Sequence, residues 1–177
     1  WTRTQLDKRE PDGSTSLVMY WDQLKNLDPL RDDIHLPGWD ASYTQAEVRS
    51  LIAAYRALGA EGLWNNLAYF LKKIIPVAQA CDVVMAIHPD DPPYPIFGLP
   101  RIVTDEAALD RLLAIADSPA NSLCLCTGSL GSSPQNDVPA LVRKYAAAGR
   151  IGFIHLRNVR LLPDGSFEES GHLSRNG

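Results

Sequence analysis

Three short apolar runs in this chain each end in a side chain able to bind a metal ion. They are Val83-Val84-Met85-Ala86-Ile87-His88, Leu123-Cys124-Leu125-Cys126 and Ile151-Gly152-Phe153-Ile154-His155, and each runs at once into a loop rich in Gly, Pro or polar residues. Imidazole nitrogen and thiolate sulfur both suit divalent transition metals. Ligands at the C-terminal ends of parallel strands can converge on one point, as on the upper face of a (β/α)₈ barrel. Taken singly, a His at a strand end is more often a hydrogen-bonding residue, and a Cys in an apolar run is more often a small buried hydrophobe. Three consecutive strand ends together point to a metal site formed by His88, Cys126 and His155. Cys81, ahead of a strand, reads as structural, and Cys124, one inward step deeper than Cys126, as core. His35 lies beside Leu36-Pro37-Gly38 with no evident partner.

Positioning these ligands requires parallel strands with helices between them. From residue 82 the chain alternates strand, loop and helix. Strands are expected over 83–88, 122–126 and 151–156. Thr104 is expected to cap a helix with Leu109, Leu112, Leu113 and Ala116 on one face, and a second helix is expected from near Asp137 with Pro139 in its first turn. Near-continuous apolar strands alternating with amphipathic helices indicate a parallel sheet covered by helices. Side chains alternate along a strand, so His88 shares a face with Ala86 and Val84, Cys126 with Cys124, and His155 with Phe153 and Arg157. Leu123, Leu125, Ile154 and Leu156 are then expected to face the helices.

Upstream, residues 1–40 read as irregular, with turn signals at Pro11-Asp12-Gly13, Asp28-Pro29 and Leu36-Pro37-Gly38. Ser16–Tyr20 suits a short strand and Trp21–Leu27 a helical turn. Thr44 and Glu47 form a capping box ahead of Val48, Leu51, Ile52 and Tyr55. A second helix runs from about Ala60 with Leu63, Leu67, Phe70, Leu71 and Ile74 at helical spacing, and Pro76 is expected to kink or break it.

The loops beyond the strand ends carry further chemistry. Asp90 and Asp91 sit between Pro89 and Pro92-Pro93 directly after His88. They read either as a stiffened, solvated loop or as contacts to substrate or metal ligands. Arg157 could clamp a substrate carboxylate in bidentate fashion or pair with an acidic loop residue. Thr127-Gly128-Ser129 could offer backbone N–H groups to an anion.

Composition narrows the function. The chain has 177 residues, 45% of them hydrophobic and 21% charged, with a net charge of −4. That balance gives no electrostatic case for nucleic acid or an anionic membrane. No stretch has the length and apolarity of a membrane span, and the N-terminus does not read as a signal peptide. Three cysteines without framework spacing argue against a disulfide scaffold, so a reduced cytoplasm is expected. The chain opens on Trp1-Thr2-Arg3-Thr4 and stops at Ser174-Arg175-Asn176-Gly177. A barrel typically takes about 250 residues, so a partial barrel is expected: one domain over 1–177, with an irregular and helical insertion over about 5–80 and β/α units over about 82–177.

Several of these stretches together resemble the mannonate dehydratase family. They are Ala86-Ile87-His88-Pro89-Asp90-Asp91-Pro92-Pro93, Ile96-Phe97-Gly98-Leu99-Pro100-Arg101-Ile102, Leu125-Cys126-Thr127-Gly128-Ser129-Leu130-Gly131, His155-Leu156-Arg157-Asn158-Val159, the opening Trp1-Thr2-Arg3-Thr4 and the segment His35-Leu36-Pro37-Gly38-Trp39. The resemblance covers essentially the whole chain. It implies a xylose-isomerase-like (β/α)₈ barrel and a cytoplasmic hydro-lyase of hexuronate catabolism. The reaction converts D-mannonate to 2-dehydro-3-deoxy-D-gluconate and water. It implies Mn²⁺ or Fe²⁺ bound by His, Cys, His and Asp, of which the first three fall on His88, Cys126 and His155. The Asp and a neighbouring proton-transfer His belong to an Arg-Pro-Asp-His-Gly motif that does not occur in these residues. The expected picture is an internal segment with the fifth, sixth and seventh barrel strands, unstable or inactive alone. Arg157, Asp90 and Asp91 are the expected substrate contacts, and His172 is the one candidate here for acid–base work. The family suggests a homo-oligomer, with the helical insertion as contact surface. The competing readings are another metal-dependent sugar isomerase or hydrolase on the same barrel, and an inactive metal-binding fragment.

Overall fold

The computed structural model describes residues 7–9, 11, 13, 15–26, 28 and 43–175. Its elements in chain order are β1 (Asp7–Arg9), β2 (Thr15–Met19), α1 (Trp21–Leu24), α2 (Gln45–Ala80), β3 (Met85–Ile87), α3 (Glu106–Ile115), β4 (Asn121–Cys126), α4 (Thr127–Gly131), α5 (Val138–Ala147), β5 (Ile151–His155), β6 (Asn158–Leu161) and β7 (Phe167–Ser170). The segments around Trp1 and His35 lie outside the described residues.

Two sheets organise the chain. Strands β3, β4 and β5 pair in parallel in that order. Their connections pass through α3 and through α4–α5, as parallel pairing requires. The second sheet is antiparallel, in the order β1-β2-β7-β6. The fold is thus mixed α/β, with no closed barrel among the described residues.

The main core forms where one face of the parallel sheet meets the helices. Leu109, Leu112 and Leu113 of α3 and Leu141 and Tyr145 of α5 are buried against Leu123 and Leu125 of β4, together with Trp64, Leu71, Ile75 and Ala78 of α2. Recurrence at three and four residues gives each helix a single apolar stripe. All of β4 is buried, as expected for the central strand. Asn121 opens it at 0% exposure. Its Nδ2 donates to the carbonyls of Leu112 and Ala116, 3.1 Å each, at the end of α3, where helical carbonyls lack backbone partners. Arg150 in turn donates to the Asn121 carbonyl from Nε and Nη2, at 3.1 and 2.9 Å.

The helix boundaries differ from expectation in instructive ways. The Thr44–Glu47 capping box is present. The break in α2 falls at Gly59, whose φ of 65° and ψ of −179° lie in a region only glycine enters readily. Pro76 stays inside the helix on an exposed face, where the lost N–H and its orphaned carbonyl are reachable by water. Leu51 and Tyr55, expected to be inward, are exposed, and Ile52 alone of that first half is buried. The cap of α3 is Asp105, one residue after Thr104, accepting from the Ala108 N–H at 2.9 Å. Thr127–Gly131, read as a loop, closes into a short helix.

Ile154 and Leu156, expected to face the helices, are 51% and 67% exposed: the helix-covered core takes in Ile151 of β5 but neither of these two side chains. Leu123 and Leu125 are buried as expected.

The antiparallel sheet was not anticipated beyond β2. Its β6–β7 hairpin turns on Pro163-Asp164-Gly165-Ser166, with Gly165 at φ 86° and Asp164 accepting from the Ser166 N–H at 3.0 Å. Glu168, 5% exposed, is held between Lys8 of β1 and Arg160 of β6. A small second core of Met19, Val159 and Phe167, with Trp21 and Tyr94 against it, anchors this sheet.

Asn121 therefore holds the end of α3 onto the central strand. We expect Asn121→Ala to lower the unfolding free energy by about 1–3 kcal/mol. Urea denaturation measures it, and an unchanged midpoint would show that the two capped carbonyls find water instead.

Candidate metal centre

His88, Cys126 and His155 come together at the C-terminal ends of β3, β4 and β5. One ligand atom from each lies within 4.8 Å of the others. His155 Nδ1 is 3.3 Å from His88 Nε2 and 3.3 Å from Cys126 Sγ. A divalent ion bound tetrahedrally at ordinary metal–nitrogen and metal–sulfur lengths spaces such atoms about 3.3–3.6 Å apart. The three donors fit a metal ion in spacing and in chemistry.

The sheet register brings this about. Cys126 pairs directly with His155 and Cys124 with Phe153, whereas Leu123 pairs with Ile151. Gly152 is skipped in that count, which marks a β-bulge. The bulge lets Ile151 turn toward the helices with Leu123 while Phe153 and His155 stay in step with the two cysteines, the re-aiming that bulges commonly provide.

Local contacts orient each ligand. His88 Nδ1 lies 2.7 Å from the Pro89 carbonyl. A carbonyl only accepts, so Nδ1 carries the proton and the Nε2 lone pair faces the cluster. Cys126 is 0% exposed, and its sulfur accepts from the Ser129 N–H at 3.4 Å and the Ser129 hydroxyl at 3.1 Å. Both histidines are exposed, so the cluster is open on one side. Cys124 is buried core as expected, and burial, with Cys126 nearby, pushes its thiol up. Cys81 is exposed at the end of α2.

Arg157 is the next feature. Its backbone is clamped by Thr127, whose hydroxyl donates to the Arg157 carbonyl at 2.6 Å and accepts from its N–H at 3.0 Å. Its stem lies across Gly128, where a Cβ would meet Arg157 Cγ at 2.4 Å. Nη1 donates to Asp91 at 2.7 Å, while Nε and Nη2 both bond Glu169. Burial alone would lower the guanidinium. The hydrogen bonds and charges of Glu169 and Asp91 outweigh it and hold Arg157 above its ordinary value. Of the two roles open to Arg157, the structure displays the acidic pairing.

Asp90 and Asp91 part company. Asp90 accepts from the backbone N–H groups of Ile102 and Val103, 2.9 Å each, and from Arg101 at 3.3 Å, so its carboxylate ties the 89–103 loop to itself. Within that loop Phe97 and Gly98 form a tight turn with φ of 56° and 67°. Asp91 instead turns to Arg157. Tyr94 follows, its hydroxyl buried without a partner, and burial with the charge of Asp91 pushes it up to about 12. Asp91, Arg157 and Glu169 stand at the wall of a mostly apolar cleft of about 910 Å³ that also takes in Leu67, Phe70 and Ile87. The three metal-type ligands are not among its walls. His172 is exposed on the turn after β7 and is not one of the three converging residues. Sequence reasoning missed Glu169 and the side chains of Thr127 and Ser129. The backbone N–H expected to meet an anion at Ser129 meets the Cys126 sulfur.

A family model described as D-mannonate dehydratase (UxuA) matches residues 1–177. The chain belongs to the D-mannonate dehydratase family. It is 46% identical over its full 177 residues to mannonate dehydratase 2 of Halalkalibacterium halodurans, covering 51% of that protein. It is 49% identical to a mannonate dehydratase of Streptococcus agalactiae, again over its whole length and 51% of the relative. A crystal structure of mannonate dehydratase from Streptococcus suis serotype 2 superposes with a TM-score of 0.85 at 43% identity, covering all of this chain and 47% of that one. The chain thus spans about half the length of the mannonate dehydratases it matches.

The contact between Gly128 and the Arg157 stem is testable. Gly128→Ala is expected to cost about 1–3 kcal/mol of stability through overpacking. In an Arg157→Ala background, where the Cγ and Cδ contacts are gone and only the 2.8 Å approach to the residue-157 Cβ is left, the cost should shrink without vanishing, a coupling that a double-mutant cycle of denaturation curves measures.

Proposed function

We propose that the protein is a metal-dependent hydro-lyase converting D-mannonate to 2-dehydro-3-deoxy-D-gluconate and water. The observation that carries this reading is the convergence of His88, Cys126 and His155 in a member of the D-mannonate dehydratase family. On the same reading the parallel β3-β4-β5 sheet is an arc of a xylose-isomerase-like (β/α)₈ barrel. Residues 1–177 then form one partial-barrel domain, with the region up to about residue 80 as an insertion. Support comes from the chain-order pairing of the parallel strands and the helices between them.

Dehydration of a sugar acid removes the proton α to the carboxylate and expels the β-hydroxyl. That proton is weakly acidic and hydroxide leaves poorly, so both the developing charge and the departing oxygen need help. A divalent ion, when bound, supplies that charge stabilisation. His88, Cys126 and His155 would hold it, with Mn²⁺ or Fe²⁺ the ions that family resemblance favours. The thiolate makes the donor set softer than the all-oxygen sites that hold Mn²⁺ elsewhere. The family's Asp ligand and its neighbouring His belong to the Arg-Pro-Asp-His-Gly motif, which residues 1–177 do not contain.

Arg157 would face the substrate carboxylate from the cleft wall, with Asp91 giving way on Nη1 while Glu169 keeps its hold on Nε and Nη2. Asp90 contributes through the loop that carries Asp91. The exposed His172 enters this reading only as a group that could exchange protons with solvent. The sugar acid is the expected partner, the cytoplasm the expected compartment and a homo-oligomer the expected assembly. No helix among the described residues is long and apolar enough to cross a membrane.

Two measurements test the proposal together. Metal analysis of the purified protein should find divalent metal that is lost in Cys126→Ser and His155→Ala with the circular dichroism spectrum retained. Turnover of D-mannonate should depend on that metal and fall by at least about a hundredfold in either variant. Unchanged metal content in Cys126→Ser would remove Cys126 from the site, and metal-independent turnover would overturn the mechanism.

A further inference from the structure

We propose that Ser129 is a positioning residue for the Cys126 sulfur and sets how strongly that sulfur donates to a bound metal. The inference rests on the three-ligand reading above.

Three observations on one side chain carry it. Ser129 is 0% exposed, so water does not compete for its hydroxyl. Its oxygen lies 3.1 Å from Cys126 Sγ, and its own N–H reaches the same sulfur at 3.4 Å. Arg157 Nη1 approaches the same hydroxyl at 3.4 Å. A guanidinium has donors only. Ser129 Oγ is therefore an acceptor toward Arg157, and its single hydrogen is left for the sulfur. The cation fixes the direction of the hydroxyl, and the hydroxyl caps the sulfur.

The surroundings hold this arrangement in place. Ser132 donates its hydroxyl to the Ser129 carbonyl at 2.8 Å, which ties the residue into α4. Thr127 clamps the Arg157 backbone, and Gly128 leaves room for the Arg157 stem. Of the residues in this turn, Ser129 alone bonds the sulfur through its side chain. Hydrogen bonds to a ligating thiolate draw electron density from it and fix its direction, so partners behind a metal ligand commonly change affinity by about 10–100-fold.

Cobalt(II) is the probe, because a cobalt–thiolate bond gives a charge-transfer absorption absent from nitrogen and oxygen ligands. The protein is stripped of metal, titrated with Co²⁺ and followed by absorption. Ser129→Ala is expected to move the band to lower energy, since a sulfur with one hydrogen bond fewer is easier to oxidise, and, because the sulfur is no longer held in direction, to weaken Co²⁺ binding by at least about tenfold. Ser129→Thr, which keeps the hydroxyl, should restore the parent band. Ser132→Ala removes a neighbouring buried hydroxyl that does not touch the sulfur, and the band should stay in place. An unmoved band and unchanged affinity in Ser129→Ala would overturn the proposal. So would an equal displacement in Ser132→Ala, which would mean that α4 had merely loosened. A parent protein with no thiolate band would overturn the metal-site reading itself, and the Ser129 role with it.

Discussion

The parallel pairing of β4 with β5 places Cys126 opposite His155, and the chemistry at the cluster depends on that register. A slip by one residue on either strand would send a ligand to the helix side of the sheet. Burial of one face resists such a slip. Leu123 and Leu125 are sealed into the core, and Asn121 and Arg150 lock the start of the strand pair to the end of α3. The bulge at Gly152 reconciles that locked start with the in-step cysteine and histidine at the far end. Just beyond the strands, the Thr127–Arg157 backbone clamp extends the register into the loops.

The two sheets are joined through charge as much as through apolar packing. Arg157 leaves the parallel sheet, crosses α4 and ends on Glu169 of the antiparallel one. Adjacent residues on a strand point to opposite faces. Glu168 accordingly serves Lys8 and Arg160 on one side of β7, while Glu169 serves Arg157 on the other. The hairpin pair β1-β2 and β6-β7 thereby becomes part of the site, because it supplies the carboxylate that aims Arg157. The Arg157 guanidinium also lies over the Phe167 ring, 5.8 Å from its centroid. That ring belongs to the small core beneath the sheet.

How far this could be read from sequence varied with the kind of signal. The three ligands were legible because each closes an apolar run, and strand alternation assigns the face. An apolar stripe marked α3, Asp137 with Pro139 marked the start of α5, and Thr44–Glu47 marked the start of α2. Other features are set by partners distant in sequence. Nothing around Gly128 announces that an arginine stem must pass over it, and Glu169 becomes meaningful only once β7 is placed beside Arg157. Of the two antiparallel hairpins, the turn signal at Pro11-Asp12-Gly13 was legible, and strand pairing shows that it and the matching one at Pro163-Asp164-Gly165 are both hairpin turns. Pro-Asp-Gly occurs both between β1 and β2 and between β6 and β7, flanked by strand-forming residues, and such a turn is a hairpin cue. Pro76 misled because an exposed helix face tolerates proline, whereas Gly59 broke the helix by entering backbone space closed to other residues.

The electrostatics of the Arg157 cluster constrain how a carboxylate ligand could be bound. One guanidinium held by two carboxylates makes a net negative cluster, and each of its three nitrogens already donates to one of them. An incoming carboxylate gains a two-pronged hold on Arg157 by displacing one of them. Asp91 is the weaker hold, since it uses Nη1 alone and its side chain is 42% exposed, whereas Glu169 engages two nitrogens and is 33% exposed. Glu169 remaining in place would keep the guanidinium plane fixed, so orientation survives the exchange even though net charge does not improve. Positive charge sufficient to attract an anionic ligand must then come from elsewhere. A divalent ion between His88, Cys126 and His155 would supply it beside the arginine. The acidic partners of Arg157 and the metal ligands are thus complementary: the first give direction, and the second would hold the ion that gives charge.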